Sequence, residues 1–201
     1  MIVYRQSTWG SPLRTEPARL AGRYHTSSEA SATQYVCLHP LAPFAEFLRG
    51  HSFRLPEQVR HVRERTWALR LGQPGLLEIG FDNAHEFDLD PAALVDEDHA
   101  RCQALAAELR AANVPGAIVP SAALPGTQNV VLLGPRVGSP YQLEALGAVD
   151  VPASITADDG RPTVTLLDLV RFRGDTHAAL EAWQRGGTFE FAEPDWELSR
   201  S

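Results

Sequence analysis

Lysine is missing from this chain of 201 residues: all 18 basic side chains are arginine. That excludes a P-loop lysine, a Schiff-base lysine and a lysine general base together. Acidic residues outnumber the arginines and the formal net charge is −7, so no basic stripe of the kind that binds nucleic acid is indicated. There are only two cysteines, Cys37 and Cys102, far apart and with no Cys-x-x-Cys pair. They read as buried reduced thiols, not as a disulfide scaffold or a zinc knuckle. The histidines form no His-Glu-x-x-His pair, and His61 and Glu64 share a helical spacing without a third ligand, so no metal is expected. No apolar run approaches the roughly 18 residues of a membrane span, and the opening MIVYRQS is too short and polar for a signal peptide. A cytoplasmic protein without a membrane contact is the expectation.

A chain of this length buries one substantial core, and a single domain over 1–201 is expected. Residues 2–6 read as a first strand and 7–32 as loop, rich in Ser, Thr, Pro and Gly. Residues 33–39 have the alternation and β-branched content of a strand, with Tyr35, Cys37 and His39 on one side. Pro43 suits the first turn of a helix, in which Phe44, Phe47 and Leu48 form one apolar face. A short polar helix is predicted at 56–65. Strands at 66–71 and 76–81 follow, joined through Gly72, Pro74 and Gly75 as a hairpin-like turn, and 82–90 should be an acidic surface connection. Residues 96–113 give the clearest helix, with Cys102, Leu105 and Leu109 on a stripe. Strands are predicted at 117–120, 130–133, 163–172 and 188–191, and a helix at 176–185. Strands and helices alternate without a strict βαβ rhythm, which makes the fold class α+β.

Several polar side chains stand out against this frame. At about 100° per residue, Glu46 points away from the apolar face of its helix, into solvent or a cleft; a pair with Arg49 three residues on is the plain alternative. Arg5 lies among apolar neighbours, as an edge-strand charge or a ligand contact. Arg23 follows Gly22 in a loop, where binding residues concentrate but solvated arginines are commoner. Tyr35 is a core tyrosine or a platform for a flat ring.

Three stretches, Gly22-Arg23-Tyr24, Tyr35 through Glu46, and Ala117-Ile118-Val119-Pro120-Ser121 followed by Asn129-Val130-Val131-Leu132, resemble in order and spacing the RES domain family. The resemblance covers the chain from Tyr4-Arg5 to about residue 135, leaving 136–201 to complete the fold. The family's arginine falls on Arg23, its strand tyrosine on Tyr35, its glutamate on Glu46 and its serine on Ser121, and Arg5, Tyr24 and Asn129 match secondary positions. Where the family usually has a Gly-Gly-Arg-Trp-Asn-like stretch, this chain has Ala21-Gly22-Arg23-Tyr24-His25.

The resemblance implies an ADP-ribosyltransferase-like fold, a split, mostly antiparallel sheet that cradles NAD as substrate. It also implies a toxin that cleaves the nicotinamide–ribose bond and is restrained by a cognate antitoxin or immunity protein. Glu46, Arg23 and Ser121 would be the catalytic set, and Arg23, Tyr24, Tyr35, Arg5, Ser121 and Asn129 the NAD-binding set, with no other cofactor. Cleavage passes through an oxocarbenium-like state with a leaving group that is already cationic, so one carboxylate is enough. Glu46 would hold the ribose, Tyr35 would stack near the nicotinamide, Arg23 would take the pyrophosphate, and Ser121 would orient the ribose or nicotinamide. Transfer of ADP-ribose to a protein and a catalytically silent binding module are the alternatives. Ser121 lacks a Gly-x-Ser-x-Gly elbow and is not read as a nucleophile, and a serine hydrolase is disfavoured because no His and Asp can be attached to Ser121 by any known spacing. The oligomeric state stays open.

Overall fold

The computed structural model describes residues 1–6, 20–27, 33–59, 62–134, 143–152 and 166–193. In chain order these form β1 (Ile2–Gln6), β2 (Gln34–Cys37), α1 (Ala42–His51), α2 (Pro56–Val59), β3 (Arg63–Leu71) and β4 (Leu77–Glu78). Two 3-10 turns follow, Ala84–Phe87 and Pro91–Leu94, then α3 (Ala100–Ala111), β5 (Gly116–Pro120), β6 (Gln128–Leu132), β7 (Leu143–Pro152), α4 (Leu166–Leu169) and α5 (Ala178–Gln184). The seven strands make one sheet in the order β4-β5-β6-β2-β1-β3-β7. Every pairing is antiparallel except β4 with β5. The α+β class with a mostly antiparallel sheet is therefore the fold observed.

Strand alternation sorts the core into layers. Val3, Val36, Leu69, Ile118, Val130 and Leu132 are buried together on one face of the sheet. On the other face α1 packs Phe44, Ala45 and Leu48 against Cys37, Leu124, Leu166, Val170 and Phe172. Beside it, α3 buries Cys102, Leu105, Ala106 and Leu109 against Tyr24, Val119 and Val131. Two helices thus share one face of the sheet, and the space left between them becomes the cleft. Pro43 does sit in the first turn of α1, and Asp98 Oδ1 accepts the Ala100 N–H at 2.9 Å where α3 begins, supplying one of the helix's orphan donors with a partner. Residues 96–99, predicted helical, form this approach.

The hairpin expected between 66–71 and 76–81 is not formed. β3 has β1 on one side and β7 on the other, the latter in register from Arg63 opposite Pro152 to Leu71 opposite Leu143. With both edges taken, β4 pairs at the far end of the sheet, Leu77 opposite Ala117. β7 itself was not anticipated, because its mixture of small, apolar and acidic residues has no clean period of two. The strand predicted at 163–172 is replaced, in its described part, by the short helix α4; Leu166 and Val170 are buried at the i, i+4 spacing of a helix face. Residues 188–191 form no strand; Phe189 and Phe191 instead lie over Gly126, where a Cβ would meet them at 2.8–3.0 Å. Among the described residues no helix is long and apolar enough to cross a membrane. Residues 7–19, 28–32 and 163–165 of the predicted loop and strand lie outside the described residues.

Gly116 tests the β5–β6 contact. A Cβ there would stand 2.2 Å from the Val131 carbonyl oxygen and 3.0 Å from Leu76. Because a backbone atom must give way, Gly116→Ala should destabilise the fold by about 1–3 kcal/mol. Urea unfolding reads this as a lower midpoint with unchanged slope; an unchanged midpoint would contradict this placement of β5.

Candidate active site

Three neighbouring strands floor the cleft. Val119 on β5 lies opposite Asn129 on β6, which lies opposite Cys37 on β2; Ala117, Val131 and Tyr35 make the next row. Residues directly opposite share a face, so all of these project toward the helical side. The cleft has a volume of about 320 Å³ and is walled by Glu46, Arg49 and Gly50 of α1, by Arg23 and Tyr24, by Glu97 and His99, and by Arg173.

Glu46 is fixed from behind. Its Oε1 accepts Asn129 Nδ2–H at 2.9 Å and the Ser121 hydroxyl at 3.3 Å. Ser121 is fully buried, and its Oγ also accepts the Leu124 N–H at 3.1 Å. The hydroxyl is thus committed both as donor and as acceptor, and no histidine among the described residues is hydrogen-bonded to it. Glu46 Oε2 has no donor among the described residues. Asn129 Oδ1, buried, likewise lacks a partner. Burial, and then the charge of Glu46, push the Cys37 thiol well up, which makes it a poor nucleophile.

The loop that carries Arg23 is pinned at every turn. Gly22 and His25 bridge each other, Gln103 Nε2 donates to the Gly22 and His25 carbonyls at 2.9 and 3.3 Å, and Arg110 Nη2 donates to the Tyr24 carbonyl at 2.9 Å. Tyr35 Oη accepts the Tyr24 N–H at 3.1 Å and lies 2.8 Å from His25 Nδ1. Since His25 Nε2 faces the Leu20 carbonyl at 2.9 Å, Nε2 carries the proton and Tyr35 donates to Nδ1. Gly22 must lack a side chain, because a Cβ would stand 2.4 Å from His25 Cε1 and 3.1 Å from Tyr35 Oη. Arg23 itself donates from Nη1 to Ala93 O at 3.0 Å and from Nη2 to Asp96 O at 2.6 Å. These partners are neutral carbonyls, so they aim the guanidinium without cancelling its charge. Tyr24 is buried beside it, which raises its pKa well above the ordinary value, and its hydroxyl has no nitrogen or oxygen partner among the described residues, the Cys102 thiol being its polar neighbour.

Beside Arg23 lies a cluster that the sequence did not reveal. Arg49 Nη2 is 2.9 and 3.0 Å from the two Glu97 oxygens, Arg171 Nη1 is 3.2 Å from Oε1 and Arg173 Nε is 4.0 Å from Oε2. Arg49 therefore pairs with Glu97 and not with Glu46, its neighbour on α1. His99, also on the wall, has its pKa lowered by burial first and then by Arg23. The only advance signal for this cluster was the turn spacing of Glu46 and Arg49; nothing local linked Arg171 or Arg173 to Glu97.

Of the residues singled out from the sequence, Arg23, Tyr24, Tyr35, Glu46 and Asn129 all line this cleft, and Ser121 stands behind Glu46. Arg5 does not line it. Paired opposite Trp67 and in phase with Val3, it lies on the other face of the sheet, where burial lowers its pKa.

The profile of the RES domain matches residues 3–154, and the chain belongs to the RES domain family. Among solved structures, it is similar to a chain of the M. tuberculosis MbcT–MbcA toxin–antitoxin complex, with 19% identity and a TM-score of 0.63 over 76% of this chain and 85% of that one. No curated protein sequence matches it significantly.

His177 props the Ser121 loop. Its Nε2–H donates to the Ser121 carbonyl at 3.0 Å while Nδ1 accepts the Leu180 N–H at 3.2 Å, an arrangement open only to the neutral ring. Burial lowers its pKa below the ordinary value. The unfolded chain then binds the proton more readily, so this stabilisation is complete above about pH 6.5 and is lost as the pH falls below it. Urea midpoints at about pH 7.5 and about pH 5.5 should differ less for His177→Gln than for the parent protein; equal differences would show that His177 does not titrate on unfolding.

Proposed function

We propose that the protein is an NAD-consuming enzyme of the toxin type that cleaves the nicotinamide–ribose bond. The observation that carries this reading is the polarity of one cleft. Glu46 and Arg49 lie one helical turn apart on α1, about 4.5 Å along its axis, and set opposite charges along the same wall. Asn129 and Ser121 hold the anionic end, and Arg23, Arg49 and Arg173 form the cationic end. A ligand with a diphosphate at one end and a sugar acquiring positive charge at the other matches that layout, and the volume suits a small-molecule site.

In this mechanism Arg23 binds the diphosphate, and Tyr24 and Tyr35 border the nicotinamide nucleoside. Glu46, aimed by Asn129 and Ser121, accepts a hydrogen bond from a ribose hydroxyl through Oε2. As the bond to the cationic nicotinamide lengthens, positive charge spreads over the ribose C1′ and ring oxygen, and the fixed carboxylate stabilises it more than the ground state. Nicotinamide leaves without a proton, and water or phosphate adds to C1′. Ser121 acts through Glu46, as a positioning residue. Transfer of ADP-ribose to a protein would use the same first step with a different acceptor. The M. tuberculosis neighbour comes from a toxin–antitoxin complex, and we extend that pairing to this chain: an antitoxin that covers the cleft would hold the activity in check.

Purified protein incubated with NAD, with and without phosphate, should release nicotinamide, seen by chromatography. A mass increment on a protein would assign the transferase instead, and no nicotinamide under any condition would refute the reading. Glu46→Gln keeps the size and most of the hydrogen bonding but removes the charge, so turnover should fall about 10²–10³-fold with a much smaller change in NAD affinity. Near-normal turnover would remove Glu46 from the mechanism. Arg23→Lys keeps a charge but loses the planar fork. NAD affinity should drop about tenfold, the loss of roughly 1.5 kcal/mol of charge-assisted hydrogen bonding; unchanged affinity in a folded variant would contradict the diphosphate role.

A further inference from the structure

We propose that Glu97 is an internal counter-ion seated where the diphosphate belongs, and that a dinucleotide enters by displacing its carboxylate from Arg49 and Arg173. This rests on the NAD reading above and adds a competitor to it. The asymmetry of the cluster identifies which partner moves. Arg49 and Arg171 are fixed and buried, with side chains 7% and 9% exposed, whereas Glu97 is 40% exposed. Arg49 is further tied to the Arg171 carbonyl at 3.1 Å, and Arg171 to the carbonyls of Val95 and Asp175 at 2.7 and 3.0 Å. Glu97 lies between the 3-10 turn Pro91–Leu94 and α3, outside any helix or strand, so its side chain can rotate away without breaking a regular element. Arg173, 68% exposed and 4.0 Å from Glu97, is the mobile cation that can follow an incoming anion.

Charge balance favours the exchange. One carboxylate serves three guanidinium groups, and Arg23, which adds a fourth charge nearby, has no carboxylate partner among the described residues. Although burial would raise the pKa of Glu97, Arg49, Arg171 and Arg23 outweigh it and hold the group below its ordinary value, so it is a carboxylate at neutral pH. A diphosphate carries two charges and more acceptor oxygens than a carboxylate, and it can take guanidinium donors in pairs. A singly charged ligand would exchange like for like. Glu97 thus selects for the dinucleotide's diphosphate and keeps the buried arginines paired while the cleft is empty.

The test is calorimetric titration of inorganic pyrophosphate and ADP-ribose into the parent protein, Glu97→Gln and Arg173→Ala. If Glu97 occupies the seat about nine-tenths of the time, removing its charge tightens apparent binding of both probes about tenfold. Arg173→Ala, an exposed change that leaves the fold intact, should weaken both. Because Glu97→Gln strips the counter-charge from two buried guanidinium groups, its Tm without ligand should be lower than that of the parent protein, and pyrophosphate should raise it by more than it raises the parent's. Equal or weaker binding to folded Glu97→Gln overturns the competitor role, as does an equal Tm rise. Nicotinamide release by the parent protein, measured on the same preparation, reports separately on the NAD reading: release without tighter Glu97→Gln binding sinks only the counter-ion proposal, and tighter binding without release sinks only the NAD chemistry.

Discussion

The hydrogen bonds at Glu46 Oε1 are the constraint from which the cleft is organised. Through Asn129 and Ser121 they join α1 to β6 and to the loop after β5, setting the rotation of the helix over the sheet. A helix is stiff over one turn, so fixing Glu46 also fixes Arg49, and Arg49 reaches Glu97 on the α3 side. The two walls are thereby coupled through charged groups in a partly buried setting, where each such contact is worth more than on an open surface. The energetic cost of removing one partner is correspondingly high, because the other is left uncompensated.

Arginine suits this design and lysine would not. Arg23 divides its donors between two carbonyls while keeping its charge available; Arg171 bonds two carbonyls and a carboxylate at once. A compact ammonium on a flexible stem has neither the reach nor the fixed fork for this. An acidic chain with net charge −7 also gains direction from concentrating cations at one place, since the field in a low-dielectric cleft focuses an approaching anion there.

Much of the fold was legible in local pattern. Strand β2, helix α1 and helix α3 announced themselves by period, by Pro43 and by the Cys102–Leu109 stripe, and these are the elements that carry most of the cleft. Lost were pairings decided at long range: β4 looks like the partner of β3 until β7 claims that edge. The closing strand at 188–191 failed because its phenylalanines pack on Gly126 and not on a sheet. At the site, the residues carried by family resemblance came together except Arg5, whose in-phase relation to Val3 could have been read from strand alternation. Glu97, Arg171 and Arg173 were invisible because their meaning is mutual: each is an ordinary surface charge until the fold sets the others beside it.

On the proposed reading, one cleft binds NAD in a single direction, diphosphate at the arginines and nicotinamide ribose at Glu46. A crystal structure with carba-NAD, which resists cleavage at the nicotinamide–ribose bond, tests it most directly. The diphosphate should lie against Arg23, Arg49 and Arg173, with a nicotinamide-ribose hydroxyl on Glu46 Oε2. The reverse orientation, or binding outside the floor made by β5, β6 and β2, would contradict it.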